Sequence, residues 1–208
     1  MASARRQDRL QALQDELADE NIEIGTSIAD ATNPAAMEEL ADRTVEQFQK
    51  IDILVYVTGT NTPDRAMARL STKTWDEVIS VNLNGAYYAT RAVLPAMRER
   101  KSGHLIYIGS ISGIVPDISG AAYQASKRGM LGLAHAIRVE EKENGIRTCV
   151  VCPGLVDTEV LEKRPVKPTP ETLSKALQAD DVAEAVLFVA KLPVRAVVPE
   201  MQIMPTML

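Results

Sequence analysis

Cysteine and histidine are scarce in this chain of 208 residues, with two of each. His104 and His135 stand alone, too few to assemble a zinc-type ligand cluster. The cysteines form Cys149-Val150-Val151-Cys152, nominally a CxxC, but the flanking RTCVVCPG reads as a buried strand ending at a Pro-Gly turn. Three steps of about 3.3 Å along a strand carry the two Cα atoms beyond the ~7 Å reach of a disulfide. Redox CxxC pairs sit at helix N-termini, so both thiols are read as core residues. No apolar run reaches the ~18 residues of a membrane span. The first twenty residues mix Arg, Asp and Glu where a secretory leader has an apolar core. A cytoplasmic protein without a membrane partner is expected. Neither sign of charge dominates: 23 Lys+Arg against 28 Asp+Glu gives a net −5, which offers no footprint for nucleic acid. Repeats and low-complexity stretches are also lacking, and the length fits a single domain over residues 1–208 with a sizeable core.

What is present is a regular alternation of helix and strand. ARRQDRLQALQDELADE sets Leu10, Leu13 and Leu17 on one helical face, and NIEIGTSIAD reads as a short strand. Asn33-Pro34 is a helix start, with Asn as N-cap and Pro at the first helical position. KIDILVYVTG is a continuous apolar run closed by glycine, the pattern of a parallel strand buried on both faces. A long helix follows from about residue 74 to 100, then strand HLIYIG, a second long helix from about 120 to 144, and strand IRTCVVC. A helix over about 180–191 and the strand PEMQIMP complete the chain. Strands separated by helices make βαβ units, so the fold class is α/β with a doubly wound, Rossmann-like parallel sheet.

In such sheets ligands bind at the carboxyl ends of the strands, and three segments bring reactive side chains there. IGSISG leaves its strand with Ser110, VNLNG supplies Asn82, and GAAYQASKRG opens the second long helix with Tyr123 and Lys127. Positions i and i+4 share a helix face, which stands the phenol beside the ammonium. A free tyrosine has a pKa of about 10, too high for efficient proton transfer at neutral pH. The nearby ammonium is expected to lower it, making Tyr123 a candidate general acid/base for interconverting an alcohol and a carbonyl, with Ser110 holding the substrate oxygen.

A serine thirteen residues before YxxxK, an NLNG and a PG closing the following strand together resemble the short-chain dehydrogenase/reductase family. The resemblance runs from about Ala4 to the C-terminal EMQIMPT. It implies that Asn82, Ser110, Tyr123 and Lys127 form a catalytic tetrad. It further implies that Tyr123 transfers the proton while hydride passes between nicotinamide and a small alcohol or ketone. Lys127 would also bind the nicotinamide ribose, and Asn82 would hold a water in a proton relay to Lys127. Pro153, Gly154 and Thr158 match the nicotinamide-side loop, Asp30 the adenine-edge aspartate, and Gly59 the glycine that survives from the family's NNAG. Arg5 or Arg6, placed where relatives meet a 2′-phosphate, points to NADP over NAD, with NAD the alternative. The family also pairs its two long helices between subunits, and Ala122, Ala125, Gly129, Gly132, Leu133 and Ala136 give the second one a small-residue surface. A homodimer or homotetramer is expected.

One family feature has no counterpart here. Gly25 is the only glycine before Gly59, and a TGxxxGxG starting at Thr58 would meet Pro63 and Arg65. Such a loop receives pyrophosphate on backbone N–H groups, and the chain is expected to begin just after that strand–loop–helix unit. Two consequences are expected. Residues 22–28 slide inward to pair with residues 51–57, the alternative being a groove in the sheet. A non-catalytic, oligomeric scaffold also becomes the competing function, to be separated from the oxidoreductase by dinucleotide binding.

Overall fold

The computed structural model describes residues 1–207. The chain opens with β1 (Ala2–Ala4), α1 (Gln7–Asp19) and β2 (Thr26–Ile28), followed by α2 (Pro34–Phe48) and β3 (Ile53–Tyr56). Next come α3 (Thr72–Ile79), a π-helical turn (Ser80–Asn84), α4 (Gly85–Arg100) and β4 (Gly103–Ile108). Helix α5 (Ala121–Glu140), β5 (Ile146–Pro153), α6 (Pro170–Leu173), α7 (Ala179–Lys191) and β6 (Glu200–Ile203) complete it. Every strand pairing is parallel, with β3-β4-β5-β6 in one sheet and β1-β2 in another. The α/β, Rossmann-like class read from the sequence is the observed one. Among the described residues no helix is long and apolar enough to cross a membrane.

The period-2 alternation of the central strands builds two cores. Leu105, Tyr107, Val150 and Cys152 face α2, α4 and α5, where Met37, Ala89, Val93, Met97, Met130 and Ala134 meet them. Ile106, Cys149 and Val151 face the other way, onto Val189 of α7. Each such side chain contributes about 1.5–3 kcal/mol on burial, which fixes β4 and β5 as the rigid centre of the molecule. Asn33 caps α2 as expected, its Oδ1 accepting from the amides of Ala35 and Ala36 at 3.0 and 3.4 Å.

The inward slide of residues 22–28 does not occur. β2 pairs with β1, Ala2 opposite Thr26 through Ala4 opposite Ile28, and no ladder joins β2 to β3 among the described residues. The three-residue β1 supplies the neighbour that residues 22–28 were expected to lack. The first part of that stretch is not strand: Asn21 adopts φ 60° and the Ile22 amide closes back onto the Leu17 carbonyl at 2.8 Å, ending α1. Nor is β3 buried on both faces. It pairs on one side only, with β4, and Ile53 and Val55 are each 40% exposed. On α1 only Leu10 is buried, because little more than the two-stranded piece lies beneath that helix.

Two further expectations are revised in detail. The first long helix is interrupted by the π-helical turn, and the second ends at Glu140. Of the small-residue surface on α5, Ala122 is buried within its own chain and a Cβ at Gly129 would run into Leu83, whereas Ala125, Gly132 and Ala136 face outward.

Candidate active site

Most of the residues singled out in the sequence lie at or just beyond the carboxyl ends of strands: Arg5 after β1, Asp30 after β2, Gly59 after β3, Ser110 after β4, and Pro153, Gly154 and Thr158 at and after β5. Tyr123 and Lys127 enter from the first turns of α5. Gly120, the N-cap of that helix, has φ 91°, a conformation glycine adopts freely. A Cβ there would also lie 2.5 Å from Cβ of Arg65.

The π-helical turn explains how Asn82 arrives. The Gly85 amide reaches back five residues to the Ser80 carbonyl, and the Val81 carbonyl accepts the Tyr56 hydroxyl at 2.6 Å. Turns of this kind recur at functional sites. Here the turn aims Asn82 at the loop after β3. Its Oδ1 accepts the Thr60 amide at 2.7 Å, and its Nδ2 donates to the Thr60 carbonyl at 3.0 Å and to Ser126 Oγ at 2.9 Å. The fully buried Asn82 side chain thus fixes that loop to α5. Thr60 and Ser126 were not foreseen in the sequence; the adjacency of Ser126 to Lys127 was the one available sign.

Lys127 is 3% exposed, and its ammonium donates to the Ile108 carbonyl at 2.8 Å. Burial pushes its pKa from 10.5 down to about 8. The same ammonium stands 5.7 Å from the centroid of the Tyr123 ring. A Cβ built on Gly59 would lie 3.5 Å from Lys127 Nζ and 3.7 Å from Asn82 Oδ1, so the bare glycine leaves both groups approachable.

The expectation that Lys127 depresses the tyrosine does not hold in this structure. Burial holds the Tyr123 phenol above its ordinary value, and Asp117 adds to the rise. The Ser110 hydroxyl, Arg164 and Arg65 pull the other way without overcoming it. The physical reason is that desolvation of the phenolate outweighs cations that are themselves partly desolvated. Ser110 is buried and organised by its neighbour: its Oγ accepts the Ser112 amide at 3.2 Å and donates to Ser112 Oγ at 3.2 Å.

At the carboxyl ends of β1 and β2 Arg5 lies 3.8 Å from Asp30, whose carboxyl is held below the usual range chiefly by the backbone and hydroxyl of Thr32. Arg6, the other candidate, turns away with Arg9 to Glu159, at 3.1 and 2.8 Å. Gly154 is pinned by its amide to the Ile203 carbonyl at 2.8 Å, and Thr158 is exposed at the start of the following turn. An isolated bridge between Val156 and Leu177 closes the base of the segment between them.

A family model described as short chain dehydrogenase matches residues 1–168. The chain is 34% identical to the NADP-dependent 3-hydroxy acid dehydrogenase YdfG of Salmonella typhi, the match covering 99% of this chain and 84% of that protein. Among solved structures it superposes on serine dehydrogenase from Escherichia coli with a TM-score of 0.83 at 33% identity, covering 97% of this chain and 84% of that one. It superposes on alcohol dehydrogenase from the archaeon Thermococcus sibiricus, complexed with 5-hydroxy-NADP, with a TM-score of 0.87 at 26% identity, covering 98% and 84%. The chain belongs to the short-chain dehydrogenase family.

Proposed function

We propose that the chain is an NADP(H)-dependent oxidoreductase interconverting a small alcohol and its carbonyl compound, with Tyr123 as the proton-transfer group. The observation that carries this reading is the buried Lys127 ammonium. One contact, to the Ile108 carbonyl, orients it beside the Tyr123 ring at the carboxyl edge of the sheet. A buried ammonium has three N–H donors, so donors remain for ribose hydroxyls next to the proton-transferring phenol. The relatives' NADP, and the Arg5–Asp30 pair at the outer strand ends, support NADP over NAD. Lys127 would hold the nicotinamide ribose, Arg5 and Asp30 the adenosine side, and Pro153, Gly154 and Thr158 the nicotinamide side.

Bound NADP+ supplies the hydride acceptor and NADPH the donor. In oxidation the substrate hydroxyl proton passes to the Tyr123 phenolate as hydride leaves the carbinol carbon for the nicotinamide, so two electrons and two protons depart, one proton within the hydride, and a carbonyl remains. In reduction the neutral phenol donates that proton to the carbonyl oxygen. Ser110 keeps the substrate oxygen within reach by hydrogen bonding, and Asn82 fixes the loop that carries Gly59 and Thr60. The active form is expected to be a dimer or tetramer built on α4 and α5.

Fluorescence titration with NADPH tests the reading. Micromolar binding is expected, together with NADP+-dependent oxidation of small alcohols that Tyr123→Phe lowers by about 10²–10⁴-fold. The competing scaffold reading predicts that the dinucleotide does not bind. Absence of NADPH binding up to millimolar concentration would establish that alternative and remove the oxidoreductase.

A further inference from the structure

Arg65 is a cation without a counter-ion. It is 9% exposed, in the loop between β3 and α3. Its guanidinium makes two hydrogen bonds, both to carbonyls: Nε to Thr62 at 3.0 Å and Nη2 to Lys163 at 2.8 Å. Among the described residues it makes no ion pair, and its Nη1 has no hydrogen-bonding partner. The carboxylate that acts on it, Asp117, is committed elsewhere: it accepts the Ser112 and Ser119 hydroxyls at 2.5 and 2.9 Å and the Ser119 amide at 2.8 Å. Arginine is almost never this buried unless paired, because desolvating a guanidinium is costly without a partner anion.

The position of this cation is fixed against the candidate site. Its stem and carbonyl lie on Gly120, where a Cβ would fall 2.5 Å from Arg65 Cβ and 2.7 Å from its carbonyl oxygen. Gly120 is the N-cap of α5, and Tyr123 is the third residue of that helix. The carbonyl that Arg65 grips belongs to Lys163, so the next residue, the half-buried Arg164, is brought to the same place. The two guanidinium groups repel each other, and both act on the Tyr123 phenol.

We propose that Arg65 and Arg164 form a carboxylate-binding subsite beside Tyr123, so that the substrates are short hydroxy acids and the matching keto acids, with the carboxylate a few bonds from the carbinol carbon. A carboxylate has two coplanar oxygens and suits the planar, forked donors of guanidinium. It also supplies the negative charge that these two cations lack. The proposal rests on the oxidoreductase reading of the same site, which leaves the charge of the substrate open.

Racemic 3-hydroxybutanoate and butan-2-ol share a carbon skeleton and differ by the carboxylate, so the ratio of their kcat/KM values with NADP+ reads the subsite directly. Hydrogen bonds to a charged group correspond to a ratio of about 10–150 in favour of the acid. Arg65→Met and Arg164→Ala are expected to move that ratio toward unity, with Arg65→Lys between Arg65→Met and the parent chain. A ratio near unity in the parent, or one that neither variant moves, overturns the proposal. Should Arg65→Met fail to fold, the ratio in Arg164→Ala, altered in a more exposed loop, decides alone. No turnover of either compound would leave the subsite to a binding measurement, with the NADPH titration deciding the oxidoreductase reading separately. In that measurement, saturation-transfer NMR of 3-hydroxybutanoate is expected to show binding that Arg164→Ala weakens at least about tenfold. Absent or unweakened binding, or capture of inorganic phosphate in preference to the carboxylate, overturns the subsite.

Discussion

Replacing Lys127 with methionine is expected to stabilise the fold at neutral pH while removing NADP-dependent turnover. The ammonium is buried, and burial lowers its pKa to about 8, against an ordinary value of about 10.4 in the unfolded chain. Below pH 8 both states hold the proton, and the folded state carries the whole desolvation penalty, about 3 kcal/mol for a shift of this size. Between roughly pH 8 and 10.4 the unfolded chain holds a proton that the folded chain has released, so stability rises with pH across that window. Methionine keeps the unbranched stem without the charge but loses the bond to the Ile108 carbonyl, 2.8 Å in the parent, worth about 1 kcal/mol net. The expected gain is therefore about 2 kcal/mol at pH 7 and close to zero near pH 10. For a chain of this size that corresponds to a rise in Tm of about 4–8 °C at pH 7. Urea unfolding of both proteins at pH 7 and pH 10 measures it. A destabilised variant at pH 7, or a difference that is the same at both pH values, would show that Lys127 is not held against its own solvation.

His104 is buried in β4 with both ring nitrogens unpartnered, and burial, with Arg147 adding to it, lowers its pKa to about 4. Stability is therefore fully present above about pH 6.5 and falls as the pH drops toward 4, by up to about 3 kcal/mol; His104→Leu should flatten that slope in acid titrations, and an unchanged slope would refute the assignment. Gly85→Ala should cost about 1–3 kcal/mol, because the added methyl would collide with the Tyr56 hydroxyl that is bonded to the Val81 carbonyl; a melting curve matching the parent would exclude this role for the π-helical turn. At Gly132 a Cβ meets nothing within 4 Å in the chain itself. Gly132→Glu should leave the fold intact yet convert a dimer or tetramer to monomers by light scattering, and an unchanged mass would place any interface elsewhere.

The buried centre was legible because its signals are local and redundant. HLIYIG and IRTCVVC are long apolar runs, and they became β4 and β5, wholly or nearly buried. The i, i+4 spacing of Tyr123 and Lys127 needed only helical geometry to put them on one face. β1, by contrast, is Ala-Ser-Ala, three small residues with no periodicity to announce a strand, so the partner of β2 could not be read. The π-helical turn was hidden because its register depends on the Tyr56 hydroxyl, 25 residues away from Val81. Arg65 sits in NTPDRAM, a polar stretch that reads as a solvated loop; its burial is created by contacts with Gly120 and Lys163, distant in sequence.

On the oxidoreductase reading, the charges around Tyr123 also bear on which protonation state it offers. Burial drives both the phenol and the Lys127 ammonium toward their neutral forms, and a neutral phenol is a proton donor, the form that carbonyl reduction requires. Oxidation requires the phenolate, which Arg164 and Arg65 favour. A carboxylate seated on those same two guanidinium groups would neutralise their pull on the phenol, since an anion nearby disfavours a second one. Substrate anion and phenolate would then compete for one pair of cations. On the proposed reading, a bound keto acid would keep Tyr123 in the protonated form that carbonyl reduction requires.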